Sequence, residues 1–370
     1  NIKKAQIDRF FEERKGDIQV LNEMIATLRR EAFKKLTAVQ QIKKGQIETY
    51  FKERQADITV LSANDTLIAS LAEFEKAVEA EGGKTGGTQW NTVAAQYAPW
   101  LKQYKETYGY YDLFLIAADG NVLYTVKQEA DLGQNLATGA LKDSPLGKSF
   151  KNAATGIALQ DFEPYAPSNN EPAAFIGAPV VQAGKTVGVV ALQLPLSEIN
   201  TIMQERTGMG KTGEVYLVGA DKLMRSDSFL DPVNHTVKAS FANPEKGRVD
   251  TDASREALAG RTGARTLLDY NGNNVLSAYT PLTIKGLTWA IIAEINIEEG
   301  YSPVDEKGNE FFAKYKELYG YYDLFLCSPD GFCFYTVTKE TDYQTNLING
   351  KYSGTNLGRL FQKVLQVKQF

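Results

Sequence analysis

The sequence predicts an α+β fold in which a long N-terminal helix precedes two small antiparallel sheets and the beginning of a further unit. Three observations support this prediction. Apolar residues at helical spacing run through the first 62 residues, strand-like runs follow them, and part of the chain is repeated. The order strand, strand, helix and then three more strands is typical of an α+β domain, because a parallel sheet would alternate strands with helices.

The repeat joins two distant parts of the chain. The pattern that begins at Tyr104 returns at Tyr315, 211 residues later (315 − 104), and 24 of 47 positions are identical up to Phe150 and Phe361. Solenoid repeats have much shorter periods. The repeat therefore indicates a whole module that ends and begins again.

Composition limits the classes of function. The chain has 370 residues, of which 43% are hydrophobic and 23% charged, as in a soluble protein with two or three domains. A net charge of −4 and a pI near 5.4 argue against a nucleic-acid partner. No apolar run approaches the ~18 residues of a membrane span. Because the first residue is Asn1 and not Met, we expect a fragment whose membrane segments lie outside it.

Residues 1–62 contain a shorter duplication. Residues 3–21 recur as residues 43–61, with 11 of 19 positions identical. An offset of 40 residues returns a helical stripe to within about 40° of itself. The sequence thus predicts one helix of roughly 90 Å, typical of dimerisation or connection. A helical hairpin broken near Thr27–Lys35 is the alternative. The repeated apolar residues are Ile7, Phe10, Phe11, Ile18 and Leu21, with Ile47, Tyr50, Phe51, Ile58 and Leu61.

The first unit, residues 63–205, is predicted to hold a five-stranded sheet. Residues 63–107 look helical, with a glycine-rich loop at 81–87. An Asp119-Gly120 hairpin signal then joins the first two strands. The predicted strands and the helix among them are Tyr110–Ala117, Asn121–Val126, the helix Pro145–Ala154, Gly156–Phe162, Ala173–Val181 and Thr186–Leu194.

The second unit, residues 206–300, repeats this plan in a smaller form. We predict a strand at Gly213–Gly219, a helix at Ala253–Ala259 and three more strands at Ala264–Leu268, Asn274–Thr280 and Thr288–Ile295.

The third unit, residues 301–370, repeats only the helix, hairpin and following helix of the first unit. A lone hairpin cannot cover its own sheet. We therefore expect residues 312–370 to be completed by further chain or packed against a neighbour. Cys327 and Cys333 flank the hairpin turn, where they are either two small apolar residues or a cross-strand disulfide.

Several stretches together resemble the double Cache sensor regions of bacterial chemotaxis receptors and sensor histidine kinases. The resemblance implies two PAS-like Cache subdomains in tandem, membrane-distal at 63–205 and membrane-proximal at 206–300, and a partial second Cache unit at 301–370. In that family the distal subdomain binds a small molecule and the long helix dimerises. The stretches are Tyr110–Ile116 with Asp119-Gly120, Phe162–Tyr165, Phe175–Val180, Gly188–Leu194 and Gly210–Val218.

The resemblance implies the extracytoplasmic small-molecule sensing domain of a transmembrane chemotaxis receptor in the inner membrane, with this fragment periplasmic or extracellular. A histidine kinase sensor, a periplasmic hydrolase-like enzyme and a structural spacer with a vestigial pocket are the alternatives. We expect no enzyme, because no nucleophile and base stand at a telling spacing and His235 is the only histidine. Neither a metal site nor a cofactor is expected, since the residues lack a ligand set.

The family's amino-acid signature is only partly present. It places Arg and Trp on the helix before the third strand, Tyr at the end of that strand and Asp on the fifth. Here Tyr165 matches the tyrosine, Gln193 stands at the Asp position, and Gly147 and Ser149 stand where Arg and Trp would be. The resemblance therefore implies a carboxylate or an uncharged metabolite more than a standard amino acid. Lys148 or Lys151 would meet a carboxylate.

Residues 161–170 are predicted to form a pocket wall, because two prolines hold carboxylates, aromatics and amides rigidly. A turn between strands is the alternative. For Asp112, a structural hydrogen bond is favoured over ligand contact. In the second unit, Arg225 and Asp227 are expected to form an internal ion pair, with a second ligand site as the alternative. The candidate ligand-binding residues are Tyr165, Asp161, Phe162, Tyr124, Phe175, Gln193, Lys148 and Asp112.

Overall fold

A single helix, α1, runs from Ile2 to Ser62. The structure is a computed structural model that describes residues 2–302, 304 and 307–367. The prediction of one long helix is confirmed, and the alternative of a hairpin broken near residues 27–35 is wrong. None of the described helices has both the length and the apolar character to cross a bilayer.

Two further helices continue from α1. The side chain of Asn64 accepts hydrogen bonds from the amides of Thr66 and Leu67 and so caps α2, Asp65–Ala80. α3, Thr88–Thr107, follows the glycine-rich loop, and its Trp90 indole donates to the Leu123 carbonyl at 2.8 Å. These helices cover one face of the first sheet.

The first unit contains a five-stranded sheet in the order β2-β1-β5-β4-β3, with every neighbouring pair antiparallel. A helix, α4, Pro145–Ala153, lies in sequence between β2 and β3. The strands are β1 Asp112–Ala117, β2 Val122–Thr125, β3 Ala158–Tyr165, β4 Glu171–Gln182 and β5 Lys185–Leu194.

The two faces of this sheet belong to different apolar clusters. Leu113, Leu115 and Leu192 join the large core beneath α1, α2 and α3. Phe114 and Ala191 join a smaller core with residues of α4. The face beneath α4 is therefore a separate compartment.

The second unit contains a four-stranded antiparallel sheet in the order β6-β9-β8-β7. Helix α5, Leu196–Gln204, leads into it, and α9, Ile297–Tyr301, follows it. The other elements are β6 Glu214–Gly219, α6 Val237–Ala242, α7 Pro244–Gly247, α8 Asp252–Leu258, β7 Gly263–Leu268, β8 Asn274–Pro281 and β9 Trp289–Asn296.

The third unit contains α10, Phe311–Tyr319, a hairpin of β10, Phe325–Cys327, and β11, Cys333–Thr336, and then α11, Asn356–Val367. Cys327 and Cys333 face each other across the hairpin as free cysteines.

The first unit docks on α1 through a cluster around Asp57. The Tyr104 hydroxyl donates to the Asp57 carbonyl at 3.1 Å, and the Tyr110 hydroxyl donates to its carboxylate at 2.8 Å. Arg54 pairs with the same carboxylate at 3.0 Å and lies over the Tyr110 ring.

The third unit repeats this cluster around Asp17, 40 residues earlier on α1. The Tyr315 hydroxyl donates to the Asp17 carbonyl at 2.8 Å, and the Tyr321 hydroxyl donates to its carboxylate at 3.1 Å. Arg14 replaces Arg54. The two duplications seen in the sequence therefore form one repeated contact between α1 and a unit.

Candidate functional site

Four of the candidate residues meet on the face of the first sheet beneath α4. Gln193 on β5 is the register partner of Asp112 on β1 and of Phe175 on β4. The Tyr165 ring, at the end of β3, packs edge-on against Phe175 with ring centres 5.2 Å apart. All four side chains are buried.

Asp112 is held by hydrogen bonds within the protein. Its carboxylate accepts from the Thr125 hydroxyl at 2.7 Å and from the amides of Leu113 and Lys127 at 2.7 and 3.0 Å. Burial raises the pKa of Asp112 to about 7, although these hydrogen bonds oppose the shift. A structural role, favoured from the sequence, agrees with this geometry.

Asp131 is a central residue of the site that sequence reasoning missed. It is fully buried, and its Oδ2 accepts from the Tyr165 hydroxyl at 2.8 Å. Burial raises the pKa of Asp131 to about 6. The repeat held a signal for it, because Asp131 recurs as Asp342 (131 + 211). Oδ1 of each aspartate is buried without a hydrogen-bond partner among the described residues.

Three buried polar atoms of this compartment have no partner among the described residues. They are Asp131 Oδ1, Gln193 Oε1 and Ser149 Oγ. Ser149 projects from α4 over Gly177 of β4, where an added Cβ would lie 3.0 Å from the Ser149 oxygen. A buried polar atom without a partner is unfavourable by about 1–3 kcal/mol. A hydrogen-bond donor that reached these atoms would remove this penalty.

The compartment carries negative charge. Beside Asp112 and Asp131, Glu129 accepts from the Tyr111 hydroxyl at 2.8 Å and the Ser168 hydroxyl at 2.9 Å. No lysine or arginine within the described part of the chain forms an ion pair with Asp112 or Asp131.

The two lysines considered for a carboxylate ligand are already paired with acids. Lys148 lies 2.5 Å from a Glu163 oxygen, and Lys151 lies 3.7 Å from an Asp143 oxygen. Both lysines are therefore engaged by carboxylates of the protein itself in this structure.

Asp161 and Phe162 lie at the contact between the first and second units, outside the compartment. The Asp161 carboxylate accepts two hydrogen bonds from Arg225, at 2.8 and 2.9 Å, and one from the Trp289 indole at 3.0 Å. The Phe162 ring stacks on Trp289. Arg225 also pairs with Asp221.

The expected pair between Arg225 and Asp227 is wrong. Asp227 instead accepts hydrogen bonds from the Asn200 side chain of α5, before its loop, and from the Val237 amide of α6, after its loop. The Asp227 carboxylate positions a loop, and Arg225 pairs with Asp161 of the first unit and Asp221 of its own unit.

Tyr124 lies on the opposite face of the sheet. Its ring stacks on Phe74 of α2 at 4.8 Å and lies near Trp90 of α3. From the predicted wall at 161–170, the compartment receives Tyr165 and the Ser168 hydroxyl that holds Glu129.

The second unit buries two carboxylates of its own. Glu214 and Glu294 are register partners on β6 and β9, and Glu294 accepts from the Tyr216 hydroxyl at 2.8 Å. Burial raises the pKa of Glu294 to about 8. No cluster of His, Cys, Asp or Glu suited to a metal ion occurs in the described ranges.

The comparisons with known proteins identify the family. The family model described as a Cache domain matches residues 21–304. The sensor domain of the Vibrio cholerae histidine kinase DctB is 12% identical with a TM-score of 0.52, and the match covers 73% of this chain and 99% of that one.

Chemoreceptor ligand-binding domains are also similar. The CtaA domain of Pseudomonas fluorescens, solved with L-serine, is 17% identical with a TM-score of 0.47, covering 72% of this chain and 98% of that one. The PctC domain of Pseudomonas aeruginosa PAO1, solved with GABA, is 16% identical with a TM-score of 0.46, covering 71% and 99%. No protein with a curated description matches. The chain belongs to the Cache domain family, in its double form.

Proposed function

We propose that this chain is the small-molecule sensing region of a transmembrane chemotaxis receptor and that its ligand binds in the first unit, between the sheet and α4. The observation that carries the proposal is the set of three buried acceptors without a partner at Asp131, Gln193 and Ser149 among the described residues. A ligand that donates hydrogen bonds to them would remove the free-energy penalty of burying these acceptors without partners.

The acceptors favour one chemical class of ligand. Asp112 and Asp131 have no cation paired with them among the described residues, so a carboxylate ligand would meet like charge. An uncharged or cationic molecule with N–H or O–H donors fits instead. This narrows the expectation from the sequence, which admitted both carboxylates and uncharged metabolites.

Signalling would follow from a difference in ligand affinity between two arrangements of the units. The first unit holds α1 through Asp57 and holds the second unit through Asp161. A ligand that shifts α4 relative to the sheet would alter both contacts, and α1 would carry the change towards the membrane.

Dimerisation through α1 is part of the proposal. Val20, Ile42 and Val60 are exposed apolar residues of α1. They fall within about 40° of one another around the helix axis. Such a stripe fits pairing with a second copy. Changing Ile42 and Val60 to Asp should shift the chain from dimer to monomer in sedimentation. If the wild-type chain is a monomer throughout, this part of the proposal is wrong.

The one histidine gives no support to a hydrolase. His235 Nδ1 bonds to Asp231 at 2.7 Å and its ring lies against Tyr270, with ring centres 4.1 Å apart. In the described part of the chain, no serine or cysteine side chain bonds to that ring. We therefore propose a binding protein without catalytic activity.

A thermal-shift screen of small amines, amides, polyols and carboxylates, followed by titration calorimetry, tests the binding site. A donor-bearing molecule should bind, and Gln193→Leu should weaken it about tenfold or more, because the matching acceptor is lost. Tyr165→Ala should abolish binding. Tyr104→Phe, at the contact with α1, is the control and should leave the affinity unchanged. A ligand that binds Gln193→Leu and Tyr165→Ala normally would show that this compartment is not the site.

A further inference from the structure

The second unit places a row of buried polar side chains across three strands of its sheet. Glu294 on β9 has Glu214 of β6 and Ser277 of β8 as its register partners. Its strand occupies the place that β5, the strand of Gln193, occupies in the first sheet. All three side chains of the row are at most 3% exposed.

This row lies on the face of the sheet beneath α8. Side chains two residues apart on a strand share a face. Tyr216 and Ile292, which stand two residues from the acids of the row, belong to an apolar cluster with Ala253 and Ala257 of α8. The helix packs on β7, β8 and β9. We call this space between α8 and the sheet the second compartment.

Glu214 is already supplied with hydrogen-bond donors. Its carboxylate accepts from the Tyr270 hydroxyl, from the Ser228 hydroxyl at 2.8 Å and from the amides of Phe229 and Leu230 at 3.2 and 3.3 Å. The loop that carries Ser228 therefore contacts the second compartment at Glu214.

Glu294 lacks donors. Its Oε2 accepts from the Tyr216 hydroxyl at 2.8 Å, whereas its Oε1 is buried without a hydrogen-bond partner among the described residues. Oγ of the neighbouring Ser277 is also buried and makes no hydrogen bond with the described part of the chain. Two adjacent oxygens thus have the capacity to accept from one donor group.

No cation of the protein balances the two glutamates. In the described ranges, no lysine or arginine forms an ion pair with Glu214 or Glu294. The row ends on β7 at Arg265, the register partner of Ser277, and this half-exposed arginine lies 3.8 Å from Asp252 instead. Buried carboxylates are normally paired with a cation or with several donors.

The donor and charge requirements point to one class of ligand. We propose that the second compartment binds a small organic cation that carries N–H donors, such as a primary ammonium, on Glu294 and Ser277. A hard metal ion is a poorer match, because it takes about six or more oxygen ligands and the described residues hold no cluster suited to one. The proposal does not depend on the ligand site of the first unit.

The cation would take the place of a proton. Burial raises the pKa of Glu294 to about 8, so the empty compartment holds this carboxyl in its protonated form near neutral pH. The titratable groups that face it are Glu214 and Tyr216 on β6 and Asp269 and Tyr270 after β7. Because the bound cation requires the carboxylate, its affinity should rise as the pH rises through this value.

His235 reports on the second compartment alone. It is the only histidine of the chain, its ring centre lies 4.1 Å from that of Tyr270, and Tyr270 donates to Glu214. The full chain with ¹⁵N-labelled histidine therefore gives the signals of one imidazole. Methylammonium is titrated at about pH 9, above the pKa of Glu294. We expect a saturable shift of these signals. Tetramethylammonium has the same charge and no N–H donor, so it should cause no saturable shift.

Matched variants locate the binding site. Glu294→Gln should weaken methylammonium binding about tenfold or more, because a charge-assisted hydrogen bond is lost. Ser277→Ala, which removes only a hydroxyl, should weaken it several-fold and serves if Glu294→Gln does not fold. Glu256→Gln, at a partly exposed acid of α8, should bind as the wild type does. Gln193→Leu should also bind normally, so a failure of the first site is not read as a failure of this one.

Three results would overturn the proposal. The first is the absence of a saturable shift in the wild-type chain. The second is an affinity that neither Glu294→Gln nor Ser277→Ala changes. The third is an equal response to methylammonium and tetramethylammonium, which would show an effect of charge without hydrogen bonding.

Discussion

The Arg225 guanidinium donates two hydrogen bonds to the Asp161 carboxylate, at 2.8 and 2.9 Å, and so links the second unit to β3 of the first. The Arg225 side chain is 3% exposed. A cation buried to this degree depends on its acids, and Asp161 is the acid that comes from another unit.

Removal of this acid should be costly. Asp161→Ala leaves Arg225 buried with the more exposed Asp221 as its remaining acid, beside the carbonyls of Leu223 and Met224. We expect the free energy of unfolding to fall by about 3–5 kcal/mol for Asp161→Ala. Asp221→Ala is the matched control, and about 1 kcal/mol or less is expected for it. Urea titrations measure both. A loss for Asp161→Ala as small as that expected for Asp221→Ala would mean that the link between the units contributes little.

The packing of α4 on the sheet should be sensitive to one added methyl group. A Cβ at Gly177 would lie 2.7 Å from the Ala153 Cβ, so Gly177→Ala must push α4 outwards. We expect a loss of about 1–3 kcal/mol, measured by thermal unfolding. Gly156→Ala places its Cβ in open space and serves as the control. If both variants unfold at the wild-type temperature, α4 is not held against β4 as described.

Stability should fall as the pH rises from about 5 to 8. Burial raises the pKa of Asp112 to about 7, of Asp131 to about 6 and of Glu294 to about 8. The folded chain therefore binds protons that the unfolded chain releases, and the stabilisation is lost as the pH passes through these values.

Glu294→Gln should flatten this dependence, because an amide does not titrate. Glu256→Gln is the control: hydrogen bonding to Arg261 lowers the pKa of Glu256, so this residue stays ionised across the range. Urea titrations at four pH values supply the slopes. A slope that Glu294→Gln leaves unchanged would exclude Glu294 as a source.

Two glycines within α1 should be replaceable with a gain. Gly16 and Gly45 have nothing within 4 Å of an added Cβ. Their repeat partners are Ala56 and Ala5. Gly16→Ala and Gly45→Ala should each stabilise the chain by about 0.5–1 kcal/mol, as alanine does in helix interiors.

Thermal unfolding checks this gain. Gly184→Ala is the contrast, because its φ of +76° disfavours a side chain, and it should destabilise. If both helix variants unfold earlier than the wild type, the backbone of α1 is not helical at these positions under the conditions used.

Alternation and turn signals predicted the strands of both sheets to within a few residues, because the alternation of a strand is local to its own sequence. Strand order is not local, and it decides which side chains meet. Asp112 and Gln193 are neighbours only because β5 lies beside β1. A register shift between Gln160 and Glu163 in β3 interrupts the alternation near Asp161, which the sequence does not reveal.

Tyr124 shows the same limit. It is the register partner of Leu115 and so shares the face covered by α2 and α3. The sequence offered two apolar faces for this hairpin and no means to tell which one α4 covers. Asp131 was not predicted, because an aspartate in a loop is expected to face solvent and only the structure shows that it is buried.

The unbroken course of α1 gives the two aspartate clusters a mechanical relation. Asp57 and Asp17 lie about 60 Å apart on one rod of continuous backbone hydrogen bonds. Because α1 is unbroken between Asp17 and Asp57, a displacement of one cluster along the helix axis would be transmitted to the other.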